Sequence, residues 1–471
     1  MKKPPNILFL MSDEHRADVT GFEGNSVIRT PVLDELARTG VVFSNAYTPS
    51  PVCVPGRQAM MSGQFPRTSG CEWFGEDLDP GYMTFARRLA QAGYNTTACG
   101  RLHHMGADQM QGWTERVCGD MHVHASHIAG RDEDADARRS KPEDGTGKWS
   151  DAKEIQQAGT GRSAYADFDK RATAGALDYI REYFVSPEYD RPRGHQPLLL
   201  KVSFFQPHYP YCTDEEKFSY YLNRVEPFLD QQVSPHPWLS MRTVTPGLDA
   251  SIREIKRAMA AYYGMIETVD SYYGQVLEAL RQAGQNLDDW LIIYTSDHGE
   301  MLGEHGIWEK KTFFDASARV PLIIRWPAGF DGGRVVEENV NLCDLFATLC
   351  DFGEIPVPEG LDSHSLVPLL QGNGAGWTNE TISQYGNYLM IKQDQLKYHY
   401  YGPQPEAVPA DPGYKRCDYD PAHAEVLFDL EHDPDECRNV VGDPAYAAAL
   451  EGFRQRCVAL SFGPNVDSGD G

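Results

Sequence analysis

The sequence predicts an α/β fold, a mainly parallel sheet sandwiched by helices, with a smaller α+β subdomain behind it. Three observations carry this expectation. Short runs bounded by turn residues, the all-apolar 7–11 and the mostly apolar 198–205, read as buried strands. These runs alternate with longer segments of helical period, the pattern of a parallel sheet with crossover helices. After about residue 374 the alternation gives way to aromatic, β-prone runs separated by turn residues.

The run 7–11 lies between proline and Ser12-Asp13, so its strand ends in two acids, Asp13 and Glu14. A helix follows over 32–38, with Pro31 before it and Gly40 after it, the usual asymmetry of helix ends. Residues 41–46 read as a second strand. Pro49, Pro51 and Pro55 then hold the chain extended, because proline fixes φ and biases its predecessor away from helix. The breakers stop after Pro55, and 57–62 reads as a short helix opening, with Cys53 at its mouth and Arg57 on the same side of the first turn. Unpaired N–H groups at a helix mouth favour anions, so a thiol and a cation placed there point to handling of an anionic group.

A helix over 83–92 stops at Gly93, and a strand over 94–99 ends in Arg101, His103 and His104. Residues 119–163 form a polar insertion with His122, His124, His127 and a mixed-charge run over 131–139. It has no periodicity and reads either as a substrate-facing segment or as a solvated loop. A helix over 169–184, a strand over 198–205 leading to His208, one or two helices over 251–283, a strand over 290–295 ending in Asp297-His298, and a strand over 320–326 complete a catalytic domain placed at 1–373. The C-terminal subdomain, 374–471, has β-prone runs at 385–391, 397–401 and 426–430, turn-rich sequence over 403–421, and a final helix over 446–460.

With 43 basic and 68 acidic residues the net charge is −25, which argues against a nucleic-acid partner held by broad electrostatics. An anionic substrate would need positive charge local to a pocket. The ten cysteines show no C-x-x-C spacing and read mostly as free thiols of a reducing compartment. The apolar run after the basic start is too short for a signal segment, and none reaches transmembrane length. The chain as written is therefore expected in the cytoplasm, away from membranes; one whose leader had been removed, periplasmic or secreted, would read the same.

Five strand ends or loops carry candidate chemistry: Asp13-Glu14, Cys53 to Arg57, Arg101 with His103, His208, and Asp297-His298, which Lys310 follows. In a parallel sheet such ends converge on one face. Three carboxylates and an imidazole suit Ca²⁺, Mg²⁺ or Mn²⁺ better than a structural zinc, and His298 shifts the balance toward a transition metal. Taken singly, Asp13-Glu14 is an ordinary solvated turn, Asp297-His298 an ordinary strand end and Cys53 an ordinary buried thiol. Their joint placement is what points to a site.

The ordered motifs resemble the type I, formylglycine-dependent sulfatases of the alkaline phosphatase-like superfamily. The resemblance runs through residues 5–13, Cys-x-Pro-x-Arg at 53–57 with Ser62-Gly63 and Pro66-Arg67, and Gly100-Arg101-Leu102-His103. It continues through Pro207-His208-Tyr209-Pro210, Ser296-Asp297-His298-Gly299 with Gly303-Glu304-His305-Gly306, Lys310, and Leu427-Phe428-Asp429-Leu430. It implies that a formylglycine-generating enzyme oxidises Cys53. It also implies that one divalent cation, Ca²⁺ first and Mn²⁺ or Mg²⁺ next, is held by Asp13, Glu14, the residue at 53, Asp297 and His298. Hydrated formylglycine would attack the sulfur of a sulfate monoester and then expel sulfate. Arg57, Arg101 and Lys310 would hold the sulfate oxygens, His208 would protonate the leaving oxygen, and His103 would stand near the nucleophile, the two histidine roles being exchangeable.

Three positions depart from the family pattern. Gly56 stands where serine is usual, Glu14 replaces an aspartate or glutamine, and Arg101 replaces a lysine, keeping the charge but presenting a planar fork. A phosphonate monoester or phosphodiester hydrolase on the same scaffold, and a non-catalytic binder of sulfated glycans, are the alternative readings. Trp73, Phe74, Trp113, His122 and His124 are candidates to line a cleft for a sulfated carbohydrate, which is favoured over an aryl ester or choline sulfate.

Overall fold

In the computed structural model, which describes residues 4–120, 151–185, 196–229, 231, 244–402 and 424–462, the chain builds an eight-stranded sheet, a four-stranded sheet and two short two-stranded ones. His122, His124, His127, most of the polar insertion and the turn-rich 403–421 lie outside the described residues. The larger sheet has eight strands: β1 (Asn6–Asp13), β2 (Val41–Phe43), β3 (Asn95–Gly100), β4 (Glu115–Cys118), β5 (Leu198–Pro207), β6 (Trp290–Ser296), β7 (Leu322–Arg325) and β8 (Arg334–Val336). Their spatial order is β8-β2-β7-β6-β1-β5-β3-β4, and the five strands from β6 to β4 are mutually parallel. Only β7 runs antiparallel to its neighbours, β6 and β2. The loop after β6 stays at that strand's C-terminal edge, so the next strand starts there and must run back.

Strand β1 shows why the apolar runs are continuous. Ile7, Phe9 and Met11 join one core, whereas Leu8 and Leu10 join another on the opposite face. Parallel strands covered on both faces need apolar residues at every position. The first core is closed by α2 (Cys53–Ser62), α3 (Phe85–Gln91) and α6 (Leu345–Phe352); the second by α1 (Pro31–Thr39), α4 (Ala164–Val185) and α5 (Ile252–Gln282). The segment expected as one helix or two is the single 31-residue helix α5, opened by a reciprocal cap between Ser251 and Glu254.

Four local expectations are corrected. Helix α2 starts at Cys53 itself, because Pro55 falls in the first turn, where a missing N–H costs nothing. The run 41–46 breaks, and Ala46–Tyr47 forms a separate short strand. A helix, Asp151–Gln157, lies inside the stretch read as structureless. The run 385–391 is not one strand: Gly386, at φ 53°, turns the chain between Glu380–Tyr385 and Tyr388–Gln393.

Those two strands, β9 and β10, continue into β11 (Leu396–Tyr400) and β12 (Glu425–Asp429), an antiparallel sheet in sequence order. Helix α7 (Ala447–Ala459) covers one face through Leu450, Phe453 and Cys457. The other face packs on Tyr47, Ile307, Phe313 and Phe314 of the larger part. Within that contact, Lys397 is fully buried, with Nζ 2.6 Å from Asp315 Oδ1 and 2.7 Å from Glu436 Oε1, and the Tyr47 hydroxyl donates to Asp315 (2.8 Å). Among the described residues no helix is long and apolar enough to cross a membrane.

Removing one member of a buried ion pair strands the other charges. Lys397→Met is therefore expected to destabilise the fold by about 3–5 kcal/mol, read as a lower denaturant midpoint; an unchanged midpoint would show that the pair carries no weight.

Candidate active site

Because β1, β3, β5 and β6 are parallel, their C-terminal ends meet at one edge of the sheet and deliver Asp13-Glu14, Arg101 with His103, His208, and Asp297-His298 to one place. Helix α2 points its N-terminus at the same edge, and its first residue, Cys53, enters the cluster. The Cys53 Sγ lies 3.1 Å from His298 Nε2 and 3.7 Å from Asp13 Oδ1. Ligand atoms of Asp13, Cys53, Asp297 and His298 all fall within 4.8 Å of one another.

The orientation of each donor follows from its partners. His298 Nδ1 donates to the Gly299 carbonyl (2.9 Å), so the Nε2 lone pair faces the cluster. Arg57 grips the two acids from behind: Nε donates to Asp297 Oδ2 (2.7 Å) and Nη2 to Asp13 Oδ2 (3.0 Å). This turns each Oδ1 toward His298, at 3.9 Å for Asp13 and 3.8 Å for Asp297. Nη1 of Arg57 donates to the Arg101 carbonyl (3.1 Å). The guanidinium thus serves the carboxylates, whereas the sequence alone had grouped it with the cations facing the substrate. The donor set, two carboxylates, an imidazole and the side chain at 53, fits one divalent cation of the hard-to-borderline kind.

Glu14 sits apart from this group. Its backbone is left-handed, at φ 66°, and its Oε2 accepts from Lys310 Nζ (2.7 Å) and lies 3.4 Å from His208 Nε2. Its other oxygen, Oε1, is buried without a hydrogen-bond partner. Lys310 also donates to His208 Nε2 (2.8 Å), while His208 Nδ1 donates to the Tyr209 carbonyl (2.6 Å). Arg101 pairs through Nε with Asp13, stacks over Phe205 at 3.9 Å, and donates from Nη2 to His103 Nδ1 (2.8 Å).

Two acids unmarked in the sequence stand behind this array. Asp169 of α4 accepts from the N–H groups of Phe205 (2.8 Å) and Gln206 (2.9 Å), fixing the strand end that leads to His208. Asp120 does the same for Leu102 and His103. Neither sits in a motif or at a predicted strand end. Of the cleft candidates, Phe74 meets the His103 ring edge-on at 5.7 Å and Trp73 packs on Tyr385 at 5.0 Å. Trp113 is buried in the core edge-on against Phe85, so it presents no open ring face to a substrate.

Electrostatics separates the acids. Burial alone would raise the Asp13 carboxyl, but Arg101 and Arg57 reverse this and hold it well below the usual range. Burial raises Glu14 well above the usual range despite Lys310. Burial pushes the Cys53 thiol up to about 12, so as a plain thiol it is protonated at neutral pH and a poor nucleophile. Burial, then the Lys310 ammonium, push His208 well below its ordinary value. Burial raises Asp169 to about 8 against its two N–H donors.

Known proteins are similar to this chain over most of its length. The family model described as "Sulfatase" matches residues 5–355, and that described as "N-sulphoglucosamine sulphohydrolase, C-terminal" matches 303–461. A choline-sulfatase from Rhizobium meliloti (strain 1021) is 31% identical over 472 residues, covering 96% of this chain and 85% of the relative. An arylsulfatase from Clostridium perfringens (strain 13 / Type A) is 26% identical over 475 residues, covering 96% and 93%. The phosphonate monoester hydrolase of Agrobacterium radiobacter superposes with a TM-score of 0.72 at 23% identity, covering 97% of this chain and 95% of that one. A protein solved with its substrate D-glucosamine-2-N,6-O-disulfate gives 0.71 at 20% identity, covering 98% of both. Both solved structures share the fold.

An ion held only by the folded cluster stabilises by mass action. EDTA is expected to lower the thermal midpoint and added Ca²⁺ or Mn²⁺ to restore it; a midpoint indifferent to both would contradict the metal reading. For Asp169 the folded pKa, about 8, exceeds the unfolded value of about 3.9. Its contribution to stability is therefore complete below the unfolded value and lost as pH rises toward 8. Asp169→Asn, which cannot titrate, should gain on the parent across that window in denaturant midpoints; a constant difference would refute it.

Proposed function

The chain belongs to the sulfatase family, and we propose that it hydrolyses a sulfate monoester of a carbohydrate through a formylglycine made from Cys53. The observation that carries this reading is the meeting of Asp13, Cys53, Asp297 and His298 within 4.8 Å, with Lys310, Arg101 and two histidines around them. Hydrated formylglycine next to a divalent cation, Ca²⁺ first, would supply an ionisable hydroxyl as nucleophile, which the buried thiol does not.

The chain's own residues would do the rest. Asp13, Asp297 and His298 would hold the cation, and Arg57, paired with both acids, keeps them aimed. Arg101 and Lys310 present N–H donors to the sulfate oxygens and offset the charge gathering there. Lys310 and His208 share one proton between Nζ and Nε2. That couple is placed to protonate the leaving oxygen, a role worth about 10²–10⁴-fold in rate. His103 accepts from Arg101 at Nδ1, so its neutral ring carries the proton on Nε2 and acts as a donor beside the nucleophile. Glu14 holds the ammonium of Lys310 in place. Phe74 and Tyr209, half-buried beside the two histidines, are aromatic rings of the kind that suit sugars.

A phosphonate monoester or phosphodiester is the second reading, because the same donors would polarise a phosphoryl oxygen equally well. Paired kcat/KM values on aryl sulfate and aryl phosphonate decide between them, and a panel of sulfated saccharides with choline sulfate names the substrate.

The peptide containing position 53 should weigh about 18 Da less than its cysteine form. Cys53→Ala should abolish turnover while circular dichroism stays that of the parent. Turnover at the parental rate in that variant would end the proposal.

A further inference from the structure

We propose that Asp120 is a positioning residue for this reaction: its carboxylate sets the Arg101-Leu102-His103 turn, so that Arg101 and His103 face the substrate as one donor pair. This rests on the sulfatase reading of the site.

Asp120 lies two residues beyond β4, with its side chain 5% exposed. Its Oδ2 accepts from the N–H groups of Leu102 (3.0 Å) and His103 (2.9 Å) and from Arg116 Nη2 (3.1 Å). Arg116 is itself pinned, with Nη1 on the Gln109 carbonyl (3.1 Å). Burial would raise the carboxyl, but Arg116, Arg101 and the two N–H donors hold it below the usual range, so it is ionised at neutral pH. Bonds from an ionised acceptor to consecutive backbone N–H groups are of the strong class.

The turn needs such a clamp. His103 has φ 61°, a left-handed conformation disfavoured for a residue with a Cβ and kept only where the surroundings impose it. In this conformer Nδ1 meets Arg101 Nη2 at 2.8 Å. A guanidinium only donates, so Nδ1 must be the bare nitrogen and Nε2 the protonated one. Asp120 hydrogen-bonds the backbone of this turn and so fixes the peptide that carries both ring and guanidinium. Its action on the chemistry is to select the His103 tautomer and to hold the Arg101 fork.

The test compares the parent, Asp120→Asn and Asp120→Ala, each with oxidation of position 53 verified by mass. Asparagine keeps an acceptor oxygen for the two N–H groups, whereas alanine keeps none. NMR of protein labelled with ¹⁵N-histidine reads the tautomer directly, with His103→Gln assigning the signal. We expect the parent and the Asn variant to show His103 protonated at Nε2 and bare at Nδ1, and the Ala variant to lose that signature. We expect kcat on an aryl sulfate to fall about 10²-fold in the Ala variant, the scale of a misplaced catalytic group, with KM moving less and the Asn variant recovering most of the loss. An Ala variant with the parental tautomer and rate, or equal losses in both variants, would overturn the inference. A parent that carries the aldehyde but cleaves no sulfate ester would instead overturn the sulfatase reading, and the NMR comparison would still decide the role of Asp120.

Discussion

Two carboxylates placed side by side in a dry interior set the terms for everything around them. Ser12 and Ser296 are register partners on adjacent strands, so Asp13 and Asp297, the next residues, emerge as neighbours. Neither is accessible to solvent, so two like charges stand side by side with no water to screen them. Arg57 answers both at once, with one nitrogen on each acid. Because Arg57 lies one turn after Cys53, the ion pairs that hold the two acids also seat the cysteine above them. The position of α2 is thus fixed by charge as much as by apolar packing.

Gly56 belongs to the same constraint. A Cβ there would come within 2.7 Å of the Ser50 carbonyl oxygen and 3.4 Å of that of Asp297. Contacts this short leave no room without backbone movement, so the first turn of α2 can press against the approaching loop and the end of β6 only through glycine. The serine usual in the family would need the 48–50 segment to sit further out. The departure at 56 is therefore a feature of how tightly this chain packs the segment before its cysteine.

The smaller sheet matters to the site through the loop that follows β6. That loop carries His298, Lys310 and Asp315, and it is gripped at both ends. Lys310 is drawn toward Glu14 and His208, while Asp315 is held by Lys397 from β11 and by Tyr47. A loop tied to both sheets keeps an ammonium in register with an imidazole. The antiparallel direction of β7 follows from the same loop, since the chain leaves it from the catalytic edge.

Much of this was legible in the order of residues. Short apolar runs without alternation, such as 7–11, bounded by proline and polar turn residues, read as strands covered on both faces, and acids or histidines placed where such runs end share an edge if the strands are parallel. Local chemistry settled Cys53 at a helix mouth and the Pro31 and Gly40 boundaries of α1. What the sequence could not decide was which partner each charge would choose. Arg57 took the carboxylates, Glu14 took Lys310, and Trp113 went to the core. Asp120 and Asp169 became clamps on backbone far from them in the chain, or across it. These are choices among competing long-range contacts, set by burial and by distances of a few ångströms that have no trace in spacing. The sequence by itself determined the strand ends and their chemistry; only the tertiary structure decided how the charges pair, because pairing in a low-dielectric interior depends on three-dimensional distance.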